Sequence, residues 1–272
     1  MTTSNQESAL KKQEFVAPED WPDVSVMLQG FGLPTLPDSD ELVGESIDVG
    51  NHDGSVVRLR FTSIDSLDRE VLEGAGAGEA ASYAYRAVEV RPGVFFIDFL
   101  VGESVKTHDV SMVLDRGDGL VTTADTSFIS RDGKIRTHTR FLSGRVLGTG
   151  EIEPRRRTDK LVGKRIYYRY SETEAYEHIY LNAGTFAWQC VRGGEKGLAD
   201  VEETKAFELA DDIVIFFWTE TVMPVDSFLV VDLKYRRSIG RMFCWEQSTL
   251  DFVHLPFDSR FTVLNETVHP TD

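Results

Sequence analysis

The stretch Tyr176-Glu177-His178-Ile179-Tyr180-Leu181-Asn182-Ala183-Gly184-Thr185-Phe186-Ala187-Trp188-Gln189-Cys190 decides how this chain is read. Residues 177–182 and 185–192 are short runs rich in aromatic and β-branched residues, and Asn182-Ala183-Gly184 between them is a turn signal. Successive side chains on a strand point to opposite faces. Tyr176, His178, Tyr180 and Asn182 therefore share one face, and Glu177, Ile179 and Leu181 share the other.

The same pattern continues outward in both directions. Between about 159 and 256, strands are also predicted at 165–170, 201–209, 213–219, 227–233 and 241–246. Between about 41 and 146 they are predicted at 56–62, 81–91, 94–101, 108–114 and 119–129. Asp118-Gly119 and Asp132-Gly133 are further turn signals. Many short strands at this spacing point to an all-β protein made of barrels or sandwiches. Ahead of them, residues 1–40 are rich in Pro, Asp and Ser, and Trp21, Val24, Val26, Met27 and Leu28 are expected to make a short helix across one end of a barrel.

The two halves match each other. Leu42-Val43-Gly44 opens the first and Leu161-Val162-Gly163 the second. Phe99-Leu100-Val101-Gly102-Glu103 answers to Phe216-Phe217-Trp218-Thr219-Glu220, and each Glu is followed 12 positions later by an Asp, Asp115 or Asp232. Three landmarks in order at near-equal spacing imply a duplication. Its period is too long for a solenoid repeat, so two tandem small antiparallel barrels are expected, at 41–150 and 151–272.

Composition sets bounds. Of the 272 residues, 41% are hydrophobic and 27% charged, as in an ordinary globular protein. A net charge of −16 repels phosphate backbones and anionic lipid heads, so no nucleic acid and no membrane is expected as a partner. Arg155-Arg156-Arg157, beside Pro154, reads as a solvated linker. No apolar run reaches the length of a membrane span and the first residues do not resemble a signal peptide, so the expected location is the cytoplasm. The two cysteines, Cys190 and Cys244, form no disulfide framework or zinc pattern and read as buried strand residues. No GxSxG and no P-loop is present.

The chemistry-bearing residues gather in the second half. In Ile166-Tyr167-Tyr168-Arg169-Tyr170, Tyr168 and Tyr170 project to one side; Trp218 and Glu220 are likewise co-facial. If the strands close, such a set lines a lumen. Tyrosines and a carboxylic acid in an apolar frame suit a small-molecule ligand, and burial would let the Glu hold a proton near neutral pH and act as a general acid. No second ligand stands at zinc spacing from His178, so no metal is expected.

Tyr176 to Asn182, then Trp188-Gln189-Cys190 and Gly240-Arg241, resemble the MoaF family over the whole chain. That resemblance implies two lipocalin-like barrels. The second half is also similar to phenolic acid decarboxylases over about 60 residues: Gly163, Tyr168, Tyr170, Tyr176, Glu177 and Asn182 stand at that family's landmarks, and Trp218-Thr219-Glu220 at its Trp-Thr-Glu. The likeness implies Tyr168 and Tyr170 as catalytic tyrosines that engage the substrate and Glu220 as proton donor, with no cofactor. It further implies a route through a quinone methide. Tyr176, His178, Tyr180, Trp188, Arg192 and Trp218 are the expected substrate-binding residues. One departure matters: Leu198 stands where the family has an arginine, and Arg192 is the nearest cation. In the first half Ser46, Asp48 and Gly50 occupy the Tyr-x-Tyr region, and Glu103 is its one candidate acid.

Three readings stand at this point. The chain is a cofactor-independent lyase or isomerase acting on a small phenolic compound. It is instead a lipocalin-like protein that binds such a compound without turnover. Or it is an interaction protein whose second barrel pairs subunits, a homodimer being the expected assembly.

Overall fold

The computed structural model describes residues 15–31, 34–103, 106–150, 153–268 and 270. It is almost entirely β. The first barrel closes β1 (Ser46–Asn51), β2 (Val56–Phe61), β3 (Ser66–Glu73), β4 (Ala80–Arg91), β5 (Val94–Val101), β6 (His108–Asp115), β7 (Leu120–Arg131) and β8 (Lys134–Val146) in chain order, with β1 returning to β8. The second closes β9 (Lys164–Arg169), β10 (Ala175–Asn182), β11 (Thr185–Arg192), β12 (Ala199–Ala210), β13 (Ile213–Thr219), β14 (Val225–Asp232), β15 (Arg237–Glu246) and β16 (Asp251–Glu266), with β16 returning to β9. Every pairing within the barrels is antiparallel. No helix among the described residues is long and apolar enough to cross a membrane.

Alternation fills each lumen. In β5, Phe95, Ile97 and Phe99 point into the first barrel, while Phe96 faces out. That outer face is not wet. Val88, Phe96 and Val113 pack against Ile215, Phe228 and Val230 of the second barrel in one interfacial core. β5, β13 and β14 are therefore buried on both faces, which explains why they read as unbroken apolar runs rather than alternating ones.

Two long hairpins lock the barrels together. Beyond Thr126, β7 pairs only with β8. This extension reaches the second barrel, where Phe128 stacks on Phe243 at 4.5 Å between ring centroids and Thr137 Oγ1 bonds Thr219 Oγ1 at 3.0 Å. The β15–β16 hairpin answers it. Arg241, fully buried, pairs with Asp109 and Asp226 and donates to Ser111 Oγ at 2.8 Å and Thr126 Oγ1 at 2.9 Å. His254 Nε2 lies 2.7 Å from Asp98 and 3.4 Å from Asp109. Asp98, Asp109 and His254 offer ligand atoms within 4.8 Å of one another, as a metal site would, but Arg241 already supplies the counter-charge there.

The arginine triplet departs from the sequence reading. The Arg155 side chain is only 5% exposed, lying 3.5 Å from Asp118, and Arg157 donates to the carbonyls of Ala206 and Ala183 at 3.0 and 2.8 Å. The buried Ala206 carbonyl needs a donor and the long Arg157 side chain supplies it, while Arg155 reaches Asp118, so the linker is strapped down.

Candidate functional site

The N-terminal segment crosses the mouth of the second barrel, not the first. Its short helix α1 (Val24–Met27) buries Val24 and Met27. Ser25 N donates to Glu246 at 2.8 Å and Thr35 N to Asp258 at 2.8 Å, fixing the segment at both ends. Trp21 meets Trp188 edge-on at 5.8 Å, and Phe31 lies over Tyr170 and Tyr176 at 4.9 and 5.4 Å.

Beneath this cover is a narrow cavity. Tyr170, Tyr176, His178, Trp188, Trp218 and Met242 line its walls, and two carboxyl groups, Glu195 and Glu220, reach into it. The side-chain alternation expected for Tyr176 and His178 is what puts them inside. Glu177, on the opposite face of β10, pairs instead with Arg165 and Gln189.

Glu220 follows β13 at a turn held by its own N–H, which donates to Val225 O at 2.9 Å. Trp218 Nε1 donates to its Oε1 at 3.2 Å, while Oε2 is closed off from water with no partner among the described residues. Burial, reinforced by the charges of Glu195 and Glu202, raises its pKa well above the ordinary carboxylate value, so it holds a proton at neutral pH. Glu195 accepts from Tyr176 Oη at 2.5 Å. Its burial outweighs that hydrogen bond and pushes it up to about 7. Glu202, held by the Thr221 N and Oγ1 at 2.9 Å each, is pushed up by burial to about 8. Burial also drives His178 down to about 3, so its imidazole is neutral, and its Nδ1 has no partner among the described residues.

Other predicted residues lie elsewhere. Tyr168 and Tyr180 are fully buried and share a hydroxyl–hydroxyl hydrogen bond of 2.7 Å, behind the walls rather than on them. Burial raises both of their pKa values. Arg192 is exposed and is not part of the lining, and Leu198 is packed into the core. No lysine or arginine lines the cavity among the described residues. Burial pushes the Cys190 thiol up to about 11 and raises Cys244 well above its ordinary value, so neither is a ready nucleophile. In the first barrel Glu103 is exposed.

Glu195 was not singled out from sequence. It sits in Gly193-Gly194-Glu195-Lys196-Gly197, which reads as a wet loop. The loop turns inward because Gly193, at φ 135°, lets the Glu174 carboxylate approach; a Cβ there would stand 1.7 Å from Glu174 Oε2. A glutamate flanked by glycines is the only signal the sequence offers.

Residues 19–130 match the MoaF N-terminal domain and residues 155–267 the MoaF C-terminal domain. Protein MoaF of Klebsiella aerogenes is 33% identical over 198 residues, spanning 68% of this chain and 75% of that protein. A crystal structure from Burkholderia vietnamiensis, provisionally named a beta-lactamase, overlays on 40% of this chain and 99% of its own at 19% identity and a TM-score of 0.33, too low to carry an argument. With both domains matched in order and a curated relative at this identity and coverage, the chain belongs to the MoaF family.

Proposed function

We propose that the second barrel takes up a small phenolic or similarly aromatic molecule and moves a proton on it without a cofactor, as a lyase or isomerase. The observation that carries this reading is Glu220: a protonated carboxyl with a free oxygen inside an aromatic cavity. Two buried carboxyls that both hold protons more tightly than usual can divide acid and base work between them. Glu220 is the proton donor. Glu195, at about 7 and bonded to Tyr176, is poised to accept the phenol proton through that hydroxyl.

On a para-hydroxycinnamate the steps balance without an external reagent. The phenol proton goes to Glu195, and the phenolate electrons push through the ring while Glu220 protonates the side-chain carbon next to the carboxylate, giving a quinone methide. The bond to the carboxylate then breaks, carbon dioxide leaves, and its electron pair restores the phenolate. The lack of a cation in the described lining disfavours holding a substrate carboxylate, which tilts the reading toward a proton shift on an uncharged phenolic substrate. The same lack favours a second reading, a barrel that binds such a molecule and leaves it unchanged.

The test is incubation of the protein with phenolic acids and neutral phenols, read by ultraviolet absorbance and mass spectrometry. Turnover with a changed mass or chromophore, reduced at least about a hundredfold in Glu220→Gln, is the expected result. Full activity in Glu220→Gln removes the assigned acid. Saturable tryptophan quenching with no product establishes the binding reading instead.

A further inference from the structure

The first barrel has a cavity of its own, built for different chemistry and independent of the reading above. It lies at one end of the lumen, where Val57 on β2, Arg69 and Val71 on β3, and Phe99 on β5 come together. Further along each strand, Leu59, Leu67 and Ile97 fill the lumen, so the cavity is blind. Its wall is mainly aliphatic: Val49, Val57, Val71, Val110, Met112 and Leu142. The second-barrel cavity is aromatic and acidic by contrast.

Four charged side chains line it, and three are occupied. Asp53 accepts from Ser55 N at 3.0 Å and Ser55 Oγ at 2.7 Å, and Asp125 lies 2.6 Å from His108 Nδ1. Arg140, on the rim, is 3.5 Å from each aspartate. Arg69 is half-buried and has no hydrogen bond or ion pair among the described residues. No Arg69 nitrogen is closed off from water, so its guanidinium fork is open to an incoming anion. Elsewhere in the lining, Asn51 is nearly fully buried and its Oδ1 is unpartnered, while its Nδ2 donates to Ser55 Oγ at 3.1 Å.

We propose that the first barrel binds a small aliphatic carboxylate, its chain lodged in the blind lumen and its carboxylate on the Arg69 guanidinium. The aliphatic wall selects an acyl chain over a ring. The open fork of Arg69 selects a planar anion, which it can hold with two parallel hydrogen bonds.

The probe is octanoate, titrated into the full chain by calorimetry, with octanamide as its uncharged counterpart. All four tryptophans, Trp21, Trp188, Trp218 and Trp245, belong to the second barrel or its cover, so binding in the first barrel leaves their emission unchanged. The expected result is one saturable octanoate site with silent tryptophans, no comparable octanamide binding, and at least about a tenfold loss in Arg69→Gln. Arg140 is 58% exposed, so Arg140→Gln leaves the fold intact and weakens binding by a smaller factor. Should Arg69→Gln fail to fold, the octanoate–octanamide comparison still decides. Absent octanoate binding, equal affinity for octanamide, unchanged affinity in Arg69→Gln, or binding that shifts tryptophan emission each overturns the proposal.

Discussion

Arg241 is fully buried, and so are Asp109 and Asp226, the carboxylates it holds. Removing the guanidinium leaves those charges uncompensated at the centre of the interface. Arg241→Met is expected to cost about 3–5 kcal/mol in urea unfolding, and Arg241→Lys to recover little, since an ammonium cannot reach Asp226, Ser111 and Thr126 together. A loss below about 1 kcal/mol would show that the network is not what holds the barrels. The sequence marked Gly240-Arg241 as a family feature but could not say what it does, because Ser111 lies 130 positions upstream. Gly240 has a local reason: a Cβ there would fall 2.3 Å from Leu229 Cβ. The place of Glu220 beside Trp218 was legible from their shared strand face and from the Trp-Thr-Glu likeness. Glu195 was not, because only the fold turns its loop inward.

At the scale of elements, twelve of the sixteen strands could be read from β-branched and aromatic runs between turns, and four could not. Each of the four has a physical reason. β1, Ser-Ile-Asp-Val-Gly-Asn, is short and half polar, and β3 carries charged residues on its outer face, with Arg69 turned into the lumen. β8 is mostly polar because its far half is an extension that lies over the second barrel. β16 contains Pro256, tolerated where the strand pairs only with β15 and its other edge is free. The short N-terminal helix was legible from its apolar anchors, but the barrel it covers was not, because its partners Tyr170, Trp188 and Glu246 lie far along the chain. The segment makes a testable cover. Phe31→Ala is expected to raise acrylamide quenching of tryptophan several-fold at a stability cost of about 1–2 kcal/mol, since Phe31 is only half-buried. Unchanged quenching would mean that Phe31 does not guard the cavity.

Buried ionisable groups around the second-barrel cavity and in the inter-barrel network set the same trend above neutrality. Glu195, Glu202 and Glu220 have folded pKa values above their unfolded ones, because burial penalises the charged form. The native state therefore binds more protons than the unfolded state above the ordinary glutamate value. Stability falls as pH rises through about 7 for Glu195 and about 8 for Glu202, and further for Glu220. His254 is raised to about 10 because Asp98 and Asp109 outweigh the burial that would lower it, so its contribution is complete below 6.5 and is lost as pH rises through 10. Opposing them is His178, at about 3, which is neutral when folded; it costs stability only as pH falls from 6.5 toward 3. Asp98, held at about 2 by His254 despite its burial, acts only in strong acid. Above pH 6.5 the opposing terms are spent, and a net charge of −16 that grows with pH adds self-repulsion in the same direction. Calorimetry between pH 6.5 and 8.5 should show stability falling by at least about 1.4 kcal/mol per pH unit, the worth of one titrating group. Glu220→Gln, which keeps the neutral form at every pH, should flatten the slope by about that amount, and Asp98→Asn should flatten it by releasing His254 from its raised state. A flat or rising profile in the unmodified chain would mean that these carboxyls are wet in solution, and with that the acid assigned to Glu220 would lose its physical basis.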